Sequence, residues 1–199
     1  MKKAKKILVM VAALALTAAI AVGGTLAYLT SKTEVVTNTF TVGNVKITLD
    51  EAKVTVEGVK DGDSRVTENT YKLMPGHTYV KDPTVHVDKD SENSWLFVKV
   101  TDEIAGIQDT KTVAAQMAEK GWTLVDGQTN IYAYKDVVKA NDNIVVFDNF
   151  KIKGTETDLS DYAGKTITVQ AYAVQKDGFD TAAAAWAAAP LAAWTTSAN

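Results

Sequence analysis

Short stretches of alternating apolar and polar residues, separated by turn-forming clusters every roughly 8–15 residues, most constrain the fold of this chain. The clearest runs from Thr166 to Gln175, where Ile167, Val169, Ala171 and Ala173 share one face. Within Trp95–Val100, Leu96, Val98 and Val100 share a face, and Val45, Ile47 and Leu49 lie opposite Lys46, Thr48 and Asp50. A side-chain period of two marks a half-buried strand. Lys53–Val59, Thr78–Val87, Trp122–Val125, Ile131–Val138 and Asn143–Phe150 also read as extended, with Pro83 interrupting the second as at an edge or a bulge. Asp61-Gly62-Asp63-Ser64 and Leu73–Gly76 read as turns, and Asp88–Ser94 as a polar loop.

Two segments have helical character. In Thr110–Lys120, Val113, Ala114, Met117 and Ala118 fall at helical spacing and Gly121 stops the pattern. An alanine-rich helix is expected near 181–189, with Asp180 as its N-cap, Phe179 over its first turn, Trp186 docked on the sandwich and Pro190 at its end. About eight strands with one or two short peripheral helices predict an all-β sandwich or barrel rather than a βαβ fold, as a single domain over 40–199.

Residues 1–27 read as an export signal. Lys2, Lys3, Lys5 and Lys6 precede an apolar run from Ile7 to Val22, and small residues lead to a cut between Ala27 and Tyr28. The other reading of this run is an uncleaved anchor, since a membrane span needs about 20 apolar residues. Cleavage leaves about 170 residues, enough for one core. The net charge of −3 becomes more acidic once the lysines of the signal are gone, which argues against nucleic acid or an anionic membrane surface as partner. The chain has no cysteine, so disulfides, thiol catalysis and cysteine-held metals are excluded.

A catalytic site is not expected. Peptidase zinc sites commonly use two histidines one helical turn apart with a glutamate between. This chain has only His77 and His86, with no His-Glu-x-x-His. His77 follows a Pro-Gly turn and reads as solvated; His86 lies on the strand face opposite Val85 and Val87. No Gly-x-Ser-x-Gly is present. No cofactor is expected. Asp88, Asp90 and Glu92 have the look of a weak calcium loop but lack its glycine and its distal glutamate, so they read as a solvated turn, as does Asp61-Gly62-Asp63. Trp95, Trp122, Trp186 and Trp194 raise a minor glycan-binding reading, with Trp95 either exposed or covered by the Thr110–Lys120 helix.

The signal ends Gly23-Gly24-Thr25-Leu26-Ala27-Tyr28, and Asn38-Thr39-Phe40-Thr41-Val42-Gly43-Asn44-Val45 follows. Leu73-Met74-Pro75-Gly76, Lys81-Asp82-Pro83-Thr84-Val85 and the Trp95–Val100 strand continue the pattern. It resembles the TasA/camelysin family, whose signals are cut by a SipW-type signal peptidase. The resemblance implies a secreted, jelly-roll-like β-sandwich in the extracellular matrix or on the cell surface. It implies polymerisation into biofilm-matrix fibres, with copies of itself or related subunits as partners and no membrane contact after cleavage. It further implies that the mature N-terminus, residues 28–39, is donated as a strand to the next subunit; by its residues alone the segment also reads as a disordered leader or a strand of its own sheet. Leu29, Thr33, Val35, Val36 and Thr37 give that segment its extended, groove-filling character. On this reading the chain is structural and not an enzyme. The other readings are a non-polymerising surface adhesin or accessory protein of the same fold, and a camelysin-like metallopeptidase.

Overall fold

Most of the alternation in the sequence becomes sheet, and sheet also forms where alternation is missing. The computed structural model describes residues 43–188, all within the second of the two units into which the chain divides, 42–199. The described strands are β1 (Ile47–Val54), β2 (Lys60–Val66), β3 (Thr78–Val80), β4 (Thr84–Val87), β5 (Ser94–Asp102), β6 (Trp122–Leu124), β7 (Ile131–Tyr134), β8 (Asn143–Val145), β9 (Asn149–Lys151) and β10 (Ile167–Gln175). The helices are α1 (Val113–Glu119) and α2 (Ala182–Ala188). One sheet has the order β2-β1-β4-β8 and a second β10-β5-β7-β6, while β3 and β9 form a short ribbon. Every pairing is antiparallel. The chain passes between sheets from β4 to β5 and from β7 to β8, as in the expected jelly-roll-like sandwich.

The two longest strands, β5 and β10, pair along their whole length from Ile167↔Asp102 to Gln175↔Ser94. Leu96 and Val98 are fully buried, and Ile167, Val169, Ala171 and Ala173 pack on the same core. Burial of each such large side chain contributes about 1.5–3 kcal/mol, and a slip by one residue would turn all of them to the other face. Val85 and Val87 of β4 face this set from the opposite sheet, so one core lies between the two layers. Phe97 points away from that core and forms a second cluster with Ile131, Ala185 and Trp186.

The strand count exceeds the expected eight for three reasons. Thr78–Val87 divides at Lys81–Pro83, where the chain leaves the β3–β9 ribbon for the larger sheet. Asn143–Phe150 divides where Val146 and Phe147 turn into the core. The third is a correction: Asp61-Gly62-Asp63-Ser64 is not a turn but lies inside β2. β2 is an edge strand exposed along its length except at Val66, so it has no buried face to impose an apolar rhythm. Its backbone pairing with β1 makes it a strand, and its charges protect the edge. The Lys53–Val59 stretch stops being a strand at Val54, and the real turn is at Thr55–Val59, closed by the Thr55 N–H on the Val59 carbonyl at 2.8 Å.

In α1, Thr112 caps the N-terminus by accepting the Ala115 N–H at 3.2 Å, and Gly121 ends the segment with φ +90°. Val113 and Met117 are buried as expected, but Ala114 and Ala118 are exposed and Gln116 takes the inner position. Its amide donates to the Asn149 carbonyl at 2.8 Å and accepts from the Asp148 N–H at 3.2 Å and the Asn149 N–H at 3.3 Å, stitching the helix to the start of β9. In α2 the cap is Thr181, not Asp180: its hydroxyl accepts the Ala184 N–H at 3.1 Å. Trp186 docks against Phe97 with ring centroids 5.3 Å apart.

Candidate functional site

Among the described residues β10 pairs only with β5, so no described strand adds to its other edge. Beside the first residues of β10, Ile167–Gln170, lies a groove of about 970 Å³. Its walls include Leu49 and Glu51 of β1, Leu73, Phe150, and Ile167 and Val169 of β10. Tyr79 stacks on Phe150 at 4.8 Å, and Tyr71 meets that pair edge-on. The Tyr79 hydroxyl donates to the Lys72 carbonyl at 2.7 Å and accepts the Met74 N–H at 2.6 Å, which holds the 72–74 segment against the ribbon. Burial raises the pKa of both Tyr71 and Tyr79, so these phenols stay neutral at physiological pH.

Two of the four edge strands of the larger sheets, β2 and β10, differ in character. β2 carries Lys60, Asp61, Asp63 and Arg65, the kind of charge that discourages another strand from adding. β10 has the sequence Ile-Thr-Val-Gln-Ala-Tyr-Ala-Val-Gln, with no charge and no proline. An uncharged edge beside a groove that mixes apolar and polar side chains is suited to accept an extended chain by main-chain hydrogen bonding.

On the far face of the β2-β1-β4-β8 sheet a polar row runs across all four strands: Arg65, Asp50, His86 and Asn143. His86 Nε2 is 2.8 Å from Asp50 Oδ1, and its Nδ1 contacts the Asn143 side chain. Arg65 pairs with Asp50 and also reaches Asp82 at 3.1 Å. Partial burial alone would raise the Asp50 pKa, but hydrogen bonds from Arg65 and His86 outweigh it and leave the carboxyl below its usual value. A depressed carboxylate contributes stability that is fully present above the unfolded value of about 4 and is lost as pH falls through the lower folded value. Asp50→Asn is therefore expected to lower stability by about 1–2 kcal/mol at pH 7, the low end for a charged hydrogen-bonded pair, because the row remains partly exposed. It should also flatten the acid limb of the stability curve. Urea midpoints measured from pH 7 to pH 3 check this; an unchanged acid slope in the variant contradicts it.

The residues singled out by sequence do not converge. Ala27, Tyr28, Leu29, Thr33, Val35, Val36 and Thr37 lie outside the described residues, as does Trp194. His77 is half-buried rather than solvated: its Nε2 is 2.7 Å from the Glu57 carbonyl and its ring packs on Tyr79. His86 does face away from Val85 and Val87, and both its ring nitrogens are engaged in the polar row. The two histidines serve different elements, and among the described residues no zinc ligand set is built around either. Asp88 and Asp90 close a turn, with Asp88 Oδ1 accepting the Asp90 N–H at 3.0 Å and Oδ2 paired with Lys46 at 3.0 Å. The Asp90 N–H and Lys46 hold the Asp88 carboxyl below its usual range. Among the described residues no group of three or more histidine, cysteine or acidic side chains is arranged to hold a metal ion.

Trp95 is neither exposed nor under α1. It is half-buried in the α2 cluster, and its indole donates to the Phe179 carbonyl at 3.2 Å. Trp122 is buried in the main core, with its indole on the Val145 carbonyl at 3.3 Å.

Residues 2–82 match the family model described as Camelysin metallo-endopeptidase. Over this stretch the chain matches the TasA/camelysin family. No curated protein and no solved structure matches it. The camelysin match spans β1, β2 and β3 and ends beside the groove at Asp82, whereas β10 lies outside it. The family name denotes a metallopeptidase, and the described histidines and acids do not supply a ligand set of the kind that chemistry uses. No described helix is long and apolar enough to cross a membrane.

The sequence did not point to Glu51, Asn69 and Lys81, which meet in the groove. The two ion-pairing members lie 30 residues apart in the chain, and only the pairing of β1 with β4 brings them together.

Proposed function

We propose that this protein is a secreted structural subunit of extracellular matrix fibres, joined by donation of residues 28–39 of one copy to the groove along β10 of the next. The observation that carries this reading is the uncharged edge of β10 beside a groove with apolar walls at Leu49, Leu73, Phe150, Ile167 and Val169. The TasA/camelysin match across the donor segment supports it. An extended chain rises about 3.3 Å per residue, so a donor of this length covers the nine residues of β10. Head-to-tail donation does not close on itself and yields filaments. Cleavage after Ala27 is the trigger, since it frees the donor from the membrane. No bond is made or broken in this function.

The test is negative-stain electron microscopy of protein beginning at Tyr28 beside protein beginning at Asn38. Filaments are expected from the longer chain only, with the shorter one a folded monomer. Filaments from both rule out donation by residues 28–37. Monodisperse particles from both favour an adhesin or accessory role for the same fold.

A further inference from the structure

The groove holds three side chains that the assembly reading does not use. Glu51 is 5% exposed and Lys81 9%, and Glu51 Oε2 lies 2.6 Å from Lys81 Nζ. The other oxygen of that carboxylate, Oε1, accepts a 2.9 Å hydrogen bond from Nδ2 of Asn69. A single carboxylate thus bridges a buried primary amine and a carboxamide. The carboxamide is held on both sides: Oδ1 accepts the Val54 N–H at 3.0 Å, and Nδ2 also donates to the Ala52 carbonyl at 2.9 Å. The Tyr71 ring lies 5.8 Å from Nζ, and its hydroxyl is tied to the Val80 carbonyl at 3.1 Å.

A buried ion pair contributes little net stability, because desolvation offsets the attraction. Passing a proton along the 2.6 Å contact from Nζ to Oε2 leaves a neutral amine. A neutral amine is a nucleophile. The Val54 N–H polarises the Asn69 carbonyl and is placed to hold negative charge as it develops on Oδ1.

We propose that Lys81 and Asn69 join in an intramolecular isopeptide bond, with Glu51 carrying the proton between them. Nζ, having given one proton to Glu51, attacks Cγ of Asn69. Glu51 passes that proton to Nδ2 as the Cγ–Nδ2 bond breaks. The leaving ammonia takes the second proton shed by Nζ and departs as ammonium. An ammonium and a carboxamide become a secondary amide and ammonium, with no oxidant, metal or co-reactant. The product ties the segment after β2 to the link between β3 and β4, in a chain with no cysteine to cross-link.

The test is tryptic digestion of the denatured full chain followed by tandem mass spectrometry. The expected result is residues 66–72 joined through Lys81 to the peptide that begins at Leu73, lighter than their sum by one ammonia, with no cleavage after Lys81. Separate peptides of unmodified mass, cut after Lys81, overturn the proposal. Glu51→Gln keeps the side-chain shape but cannot carry the proton. It should fold by circular dichroism and lose the linked peptide; linkage at undiminished yield removes Glu51 from the reaction. If that variant does not fold, the map of the unaltered chain still decides whether the bond exists.

Discussion

Phe97→Ala should lower stability by about 3–5 kcal/mol and release α2 from the sandwich. Phe97 is fully buried, yet it points away from the main core, because successive strand residues face opposite ways and Leu96 and Val98 take the inner side. Its cover is Trp186 and Ala185 of α2, a seven-residue helix too short to persist without tertiary packing. The truncation therefore removes the surface that holds the helix as well as leaving a cavity. Urea unfolding followed by tryptophan fluorescence reads the first effect, and limited proteolysis near 181–188 the second. Leu96→Ala is the control: it should destabilise by about 2–5 kcal/mol while α2 stays protected, since Leu96 lies in the other cluster. Equal protease sensitivity in both variants would falsify the claim that α2 depends on Phe97.

Gly58→Ala is expected to lower stability by about 3 kcal/mol, and Gly62→Ala by about 1 kcal/mol, although both glycines sit at nearly the same backbone angle. Gly58 has φ +75° and Gly62 φ +73°, the left-handed region that costs other residues about 1–2 kcal/mol. The difference is space. A Cβ on Gly58 would fall 2.5 Å from Cδ1 and 2.8 Å from Cα of Tyr79, while one on Gly62 meets nothing within 4 Å. Tyr79 cannot withdraw, because its ring is stacked on Phe150 and its hydroxyl is held at both Lys72 and Met74. The Val80 N–H also bonds the Gly58 carbonyl at 2.9 Å, so the backbones are already in register. Denaturant midpoints for the two variants give the comparison; equal losses would mean that the tight approach of this turn to β3 is relieved without strain.

Legibility in the sequence followed burial. β5 and β10 were readable because one face of each meets the core, which imposes a period of two on Leu96, Val98 and Val100 and on Ile167, Val169, Ala171 and Ala173. α1 and α2 were readable from their spacing and small residues, though the side of α1 that faces inward was not. Gln116 is polar and belongs inside only because the start of β9 supplies its partners. β2 was misread for the converse reason: it buries almost nothing, so its residues record only solubility and edge protection. Trp95 was left between exposure and cover by α1, and it has neither, since alternation shows which face a residue takes but not which element covers it.

The candidate site was legible in part. The proposed donor, residues 28–39, lies outside the described residues, and both its reading and the family resemblance are carried by consecutive residues within the matched stretch 2–82. The acceptor edge is not. β10 is a clean strand in any reading, and only the strand order makes it an edge. The Glu51–Lys81–Asn69 contact depends in the same way on strands separated in the chain. Period, turn chemistry and composition act between near neighbours, so sequence alone determined the all-β class, the absence of disulfides and the family resemblance. Strand order, the groove beside β10 and the Glu51–Lys81–Asn69 trio arise from contacts between distant residues, formed only when two sheets close over one core, and these the tertiary structure decided.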